Sequence, residues 1–503
     1  MSTSDQSAPN AGRLLWAGFM AILAAGVGFG VRGGILANWG AEYGFTNTEL
    51  GDITGMGLVG FGVVILLSSF IADSFGYGKL MITAFLMHLI SAVLTLSAGI
   101  AFKSGGKEAA YLCLYWGQFL FSVGNGVSEA VVNPLTATLY PNNKTHYLNI
   151  LHAGWPAGLI LGGLIGIYMG SQSWQVQMGM FLLPVVIYGV MLLGQKFPKS
   201  EASSAGVSMG EMLKQLLMPL MLLLLFIHAL VGYVELGTDS WIQKITGGIL
   251  DPETGKWLFV YTSGLMFVLR FVAGPIVHKI SPLGLLFVSA VFASAGLYSL
   301  SGVTATAMAL VALTIYGIGK TFFWPTMLAV VSERFPKGGA ITMGAMGAVG
   351  MLAAGYLGGP GIGYKQDYYA SGDLKAKAAT VYENYAAADS KGFLFLPKIK
   401  GLDQAKVETL EKDGKNIAAD LEALKKSGKT DENVNKMNAW WQTAQATAAA
   451  DKPAVAGAGI FGSRMALKWT SVVPALMAVL YLLLILGFKA KGGYKALHVS
   501  DTH

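Results

Sequence analysis

The sequence predicts an all-α integral membrane protein. Twelve transmembrane helices form two six-helix pseudo-symmetric bundles, with an extramembrane helical insert between helices 11 and 12. Three observations lead there. Apolar side chains make up 53% of the 503 residues and charged ones only 13%, against ~25% charged in a soluble domain. The charge is segregated: residues 365–452 carry 14 Lys and 13 Asp or Glu in 88 positions, while the other 415 residues share 36 charges. Apolar runs of spanning length recur along the remainder. This composition excludes disordered, collagen-like and disulfide-scaffold proteins and cytosolic enzymes. The net charge of +7 comes mostly from helix-end Lys and Arg. It reads as an orientation signal, with no nucleic-acid partner expected. Cys113, the single cysteine, cannot form an internal disulfide.

Crossing a bilayer by helix takes about 20 apolar residues. Runs of that kind lie near 14–37, 50–72, 80–102, 110–139, 148–170, 177–195, 215–241, 257–279, 283–303, 306–331, 340–363 and 467–488. Lipid offers no partner to unpaired backbone groups, so each is expected to be helical. The first run is long and Gly-rich and lacks an A-x-A-like cleavage site, so it is expected to be retained as a helix. With the N-terminus inside, the inner loops and tails hold twelve Lys or Arg, including Arg13, Lys79, Lys144, Lys279, Arg334 and Lys489. The short outer loops hold four: Lys103, Lys107, Lys244 and Lys256. That bias predicts both termini inside. A bacterial cytoplasmic (inner) membrane is the expected location.

The chain repeats itself. The 2–3 loop Ala72-Asp73-Ser74-Phe75-Gly76-Tyr77-Gly78-Lys79 and the 8–9 loop Val277-His278-Lys279-Ile280-Ser281-Pro282 occupy the same place in each half. Helix 4 ends on Asn133-Pro134 and helix 10 on Trp324-Pro325. The expected division is 1–196 for the first bundle, 197–212 for a linker, 213–363 for helices 7–11, 364–464 for the insert and 465–503 for helix 12 with its tail. Two parallel repeats of this kind are a transporter architecture, with the solute site between them near the midplane.

Asp73, Gly76 and Lys79 form a degenerate copy of the inner-loop signature of the major facilitator superfamily, which the chain resembles. Within it, Gly124-Asn125-Gly126-Val127-Ser128-Glu129…Asn133-Pro134 is similar to the fucose–galactose–glucose:proton symporter family. Gly232-Tyr233-Val234-Glu235…Ser240-Trp241 and Leu269-Arg270-Phe271…Gly274 support this. The resemblance covers both halves but not the insert. It implies that Glu129 carries a coupling proton, that helices 1, 4, 7 and 10 line the cavity, and that Asp73, Gly76 and Lys79 act in gating. The family has an acid in helix 1 where this chain has Arg32-Gly33-Gly34-Ile35-Leu36.

A charge at the centre of a membrane helix costs roughly 2.5–3.5 kcal/mol on insertion scales and is kept when paired, hydrated or used. Six such residues stand out: Arg32, Glu129, Glu235, Asp239, Arg270 and Lys320. Glu129 lies five residues before Pro134, and Lys320 five before Pro325. Superposing the prolines makes the two charges pseudo-symmetry mates. The expected pairs are Glu129 with Lys320, as the proton-coupling couple, and Arg32 with Glu235. Separating Glu129 from its base would let it take up a proton. A static salt bridge locking the halves is the plain alternative. Arg270 is expected either to bond loop and backbone groups near the inner end, as a gate residue, or to touch solute.

A sugar site wants hydrogen-bonding amides and stacking aromatics in an apolar pocket. Gln118, Asn125 and Glu129 share one helix face, and Asn133 extends it. Trp155, Trp241 and Trp324 are the aromatic candidates, with Tyr233 as a second choice. Trp39 is either another or an interface anchor. Glu235 and Asp239 complete the expected lining. His88, His152 and His228 have no ligand spacing and read as packed or interface histidines. Glycines at 158, 162, 166 and 170 make a small-residue face for close helix packing. No cofactor, metal or phosphate-loop pattern and no nucleophile–base pair is visible, so an enzyme is not expected.

In the insert, helices are expected near 373–389, 403–427 and 431–449, with Trp440-Trp441 at the membrane surface or the mouth. It is a lid, a docking module for a periplasmic partner, or a passive cap. The function expected is secondary active transport by alternating access, a proton-coupled symport of a sugar or related polar solute. An anion carrier using Arg32 and Lys320, or a non-transporting sensor or scaffold, are the alternatives.

Overall fold

A computed structural model describes residues 10–45, 47–427 and 430–502. Among them the chain is helical, with isolated bridges Ala386–Leu402 and Lys391–Ile399 as the extended pairings. Among the described residues ten helical segments are long and apolar enough to cross a membrane, so the protein is a multi-pass membrane protein. The 63-residue segment Tyr77–Leu139 contains Gly106 at φ 69°, outside helical values. The chain therefore doubles back at this glycine.

Each half is held by helices that approach almost to backbone contact. The Ala11–Tyr43 helix packs along Gly154–Tyr168. A Cβ on Gly162 would come within 2.7 Å of Gly30 Cα, and one on Gly158 equally near Gly26 Cα. The small-residue face stops there: a Cβ on Gly166 would meet nothing within 4 Å, and one on Gly170 only its own helix. The second half uses the same device with a register change. Tyr233–Gly237 and Ala354–Gly358 are both π-helical turns, and Gly237 and Gly358 meet at their Cα atoms. The halves join where Asn47–Phe75 packs on Gly339–Ala353 and Gly154–Tyr168 on Pro252–Arg270.

Residues 378–447 form a cap over one end. Its helices Ala379–Tyr385, Gln404–Glu411, Lys415–Ser427 and Glu432–Ala444 share a core of Tyr382, Tyr385, Leu402, Leu410, Ile417 and Trp441. The stretch expected as one helix over 403–427 breaks at Asp413-Gly414, both at positive φ. Gly414 is pressed against the Trp441 ring there. Trp440 and Trp441 are thus cap core and not surface anchors: Trp440 donates to Asn384 Oδ1 at 3.1 Å, and Trp441 is buried. A vestibule of about 970 Å³ opens beneath the cap. Leu402, Gln404, Val407 and Glu411 of the cap face Trp155, Asp239, Trp241 and Lys244 of the bundles across it.

Candidate functional site

The two halves meet around a small central cavity, about 30 Å³, lined by Asn125, Glu129, His152, Trp155, Glu235, Arg270 and Trp324 among others. That is room for a water or two. Trp155 and Leu236 line both this cavity and the vestibule, so they partition them.

Glu129 rests on the continuous helix running to Pro134. Its Oε1 accepts from Asn133 Nδ2 at 3.0 Å and from Trp324 Nε1, across the halves, at 3.4 Å. His152 Nε2 stands 3.7 Å from the same oxygen and 2.8 Å from Asn133 Oδ1. Glu129 therefore has neutral hydrogen-bond donors and a histidine beside it, with no Lys or Arg in ion-pair contact among the described residues. Asn133 braces the carboxylate and its histidine. Trp324 fills the wall between Glu129 and His228, whose ring is 4.6 Å away.

The basic partners lie elsewhere. Arg270 Nη2 is 2.9 Å from Glu235 Oε1, while its Nε donates to Thr321 O at 2.9 Å and its Nη1 to His152 O. Trp324 N donates to Glu235 Oε2 at 3.3 Å. Lys320, fully buried, is ion-paired to Asp239, with its Nζ 5.3 Å from the Tyr316 ring centroid. Both expected pairs are corrected by this geometry. The Glu129 helix is uninterrupted to Pro134, whereas the helix bearing Lys320 ends there and restarts at Phe323. The break changes the helical phase, so equal spacing to proline does not give equal direction. Glu235 lies in a π turn, which rotates it from the position a regular helix would give and onto Arg270.

Among the described residues Arg32 has no acidic partner. Its guanidinium lies 3.5 Å over the Phe121 ring, inside the first half, and is buried. Gln118 is buried on the same helix as Phe121, about one turn before it. Asn125 faces the central cavity while its Oδ1 lies 3.0 Å from His88 Nε2. Tyr233 does not reach the central cavity: its hydroxyl accepts from Lys365 Nζ at 3.0 Å. Trp241 lines the vestibule and donates to Gly359 O at 2.8 Å. Trp39 is fully buried edge-on against Trp174, so it is no interface anchor.

The end opposite the cap is sealed across the halves. Asp73 Oδ2 accepts from Ala340 N at 3.3 Å, at the start of the Gly339–Ala353 helix, where a carboxylate favours the dipole. Gly76, at φ 94°, allows the turn before Tyr77, and Lys79 is exposed with its Nζ 5.2 Å from the Phe75 ring. Lys144 Nζ donates to Ser332 O at 3.2 Å and Thr145 Oγ1 to Glu333 Oε1 at 3.2 Å. Tyr494 donates to the other Glu333 oxygen at 2.6 Å. Trp155, an aromatic candidate from the sequence, lines the cavity, whereas sequence reasoning missed the role of His152 and this Lys144–Thr145–Glu333 seal. A charged residue beside a predicted span end reads as a loop charge, and a lone histidine as packing.

None of the curated proteins compared matches the sequence. Among solved structures, the E. coli fucose:proton symporter FucP superposes with TM-score 0.58 at 15% identity, over 72% of this chain and 93% of its own. A bacterial homolog of the human lysosomal transporter Spinster, inward-facing and unoccupied, gives 0.60 at 15% identity, over 97% and 100%. The human organic anion transporter MFSD10 gives 0.58 at 11%, over 94% and 100%. The sequence profile described as Major Facilitator Superfamily matches residues 18–358. With the two-half helical fold, that match leaves one assignment: the chain belongs to the Major Facilitator Superfamily.

Proposed function

We propose that the protein is a twelve-helix secondary transporter that carries a small polar solute by alternating access, coupled to proton movement at Glu129. The Tyr77–Leu139 segment, folded at Gly106, supplies two spans, and Pro252–Arg270 supplies one beyond the ten. In this reading both termini lie in the cytoplasm of a bacterial cell and the cap in the periplasm, an orientation that the Lys and Arg bias supports.

The observation that carries the coupling reading is the company Glu129 keeps. Glu235 and Asp239 are each in ion-pair contact with a buried base, while Glu129 faces the cavity among Asn133, Trp324 and His152. A buried carboxylate with neutral donors changes protonation state at the smallest electrostatic cost. A proton arriving from the vestibule neutralises Glu129. Releasing the Lys144, Thr145 and Asp73 contacts then opens the opposite end, where Glu129 returns the proton to water, while His152, whose Nε2–H donates to Asn133 Oδ1, holds Asn133 against the carboxylate. Lys320 acts by holding Asp239 at the vestibule floor, not by facing Glu129. Gln118, Asn125, Asn133, Trp241 and Trp324 are the proposed solute-facing donors and rings, and Tyr233 braces the capped end through Lys365.

The test is uptake into proteoliposomes with an imposed pH gradient. Glu129→Gln should retain solute exchange and lose the gradient's acceleration. Undiminished acceleration in that variant would remove Glu129 as the proton carrier. The solute is a sugar or a related polar molecule in this reading, in keeping with FucP. A charged solute is favoured by one observation, developed next.

A further inference from the structure

Arg32 is a buried cation with two donors that have no hydrogen-bond partner among the described residues. Its side chain is about 6% exposed, and Nε and Nη2 are among the buried atoms without a hydrogen-bond partner. Those two nitrogens form one edge of the guanidinium, the edge that grips a carboxylate with two parallel bonds. The Phe121 ring holds the plane from one side at 3.5 Å. On the Phe121 helix, Gln118 Nε2 and Asn125 Nδ2 are also buried without partners. All four open atoms are donors. The three acids of the membrane interior have other partners: Glu235 has Arg270, Asp239 has Lys320, and Glu129 has Asn133 and Trp324.

An uncompensated buried charge costs several kcal/mol, so such a group is kept where something neutralises it. Acceptors without donors are what these four atoms lack, and an anion supplies them. Asn125 joins the cluster to the central cavity, since it lines that cavity and is bonded to His88, whose ring is 5.8 Å from Phe121. Gly34, one turn beyond the vestibule-lining Gly30, has open space where a side chain would stand.

We infer that Arg32, with Gln118 and Asn125, binds the carboxylate of the transported solute, which is a small organic acid of sugar-acid type and not a neutral sugar. This deepens the transport reading above and rests on it. Lys320, already neutralised by Asp239, takes no part.

The experiment measures thermal stabilisation of the purified full chain by sodium gluconate and sodium galacturonate, against glucose, galactose and sodium chloride. Liposome uptake of the same compounds follows. The acids should stabilise the chain and the sugars and chloride should not. Arg32→Gln should weaken the effect about tenfold or more, as loss of a charged hydrogen bond does. Arg32→Lys, which keeps the charge without the fork, should fall between. If Arg32→Gln fails to fold, Gln118→Leu serves and should weaken acid binding severalfold. Stabilisation by sugars alone, by chloride equally, or by acids equally in the unaltered chain and in its Arg32 variants overturns the assignment. Arg32-dependent binding without flux of any compound would instead overturn the transport reading and leave the site standing.

Discussion

Glu235 and Arg270 show how a single residue pair is balanced inside this protein. Each is almost fully buried, so each depends on the other and on the carbonyls of Thr321 and His152. Removing one partner leaves an unpaired buried charge, which costs about 3–5 kcal/mol. Arg270→Met should therefore lower the detergent melting temperature sharply. Arg270→Met with Glu235→Leu should recover most of the loss, because both charges are then gone. A double variant no more stable than the single one would show that the backbone bonds of Arg270, and not the ion pair, carry its contribution.

At the scale of elements, the glycines divide into those that hold helices together and those that do not. Gly162 lies where the Ala11–Tyr43 helix passes at backbone distance, while Gly166, one turn later, has open space. Gly162→Leu should destabilise the chain by at least the roughly 1–3 kcal/mol of an overpacked core. Gly166→Leu should be tolerated. Equal melting temperatures for the two variants would mean that the helix seam yields more than this packing allows. The cap makes a parallel case. Trp441→Ala removes the largest side chain of its small core, a change costing about 3–5 kcal/mol in a buried setting. Limited proteolysis should then cut within 378–447 while the bundles stay intact, and uncut cap would contradict the packing described.

At the scale of the whole molecule, the vestibule is open beneath the cap and the opposite end is closed by Lys144, Thr145, Asp73 and their partners across the halves. Alternating access requires that these contacts exchange for others. Lys144→Met with Thr145→Val should shift the population toward opening at the terminal end. A Ser128→Cys probe in the central cavity, in a Cys113→Ser background, should then react faster with an impermeant maleimide added from that end. An unchanged rate would show that these contacts do not set the balance between the two states.

Sequence by itself determined the class of fold. Segregated charge and long apolar runs leave a helical membrane protein as the one arrangement that satisfies the backbone. It also determined which charges matter, because a buried charge is costly wherever it falls: Arg32, Glu129, Glu235, Asp239, Arg270 and Lys320 all lie in the interior. Tertiary structure alone decided who meets whom. A helix break after Lys320 and a π turn at Glu235 each rotate a side chain away from where regular spacing aims it. Direction around a helix accumulates with every residue, so these two irregularities turn an expected Glu129–Lys320 pair into Asp239–Lys320 and an expected Arg32–Glu235 pair into Arg270–Glu235, and among the described residues Arg32 is left without an acid.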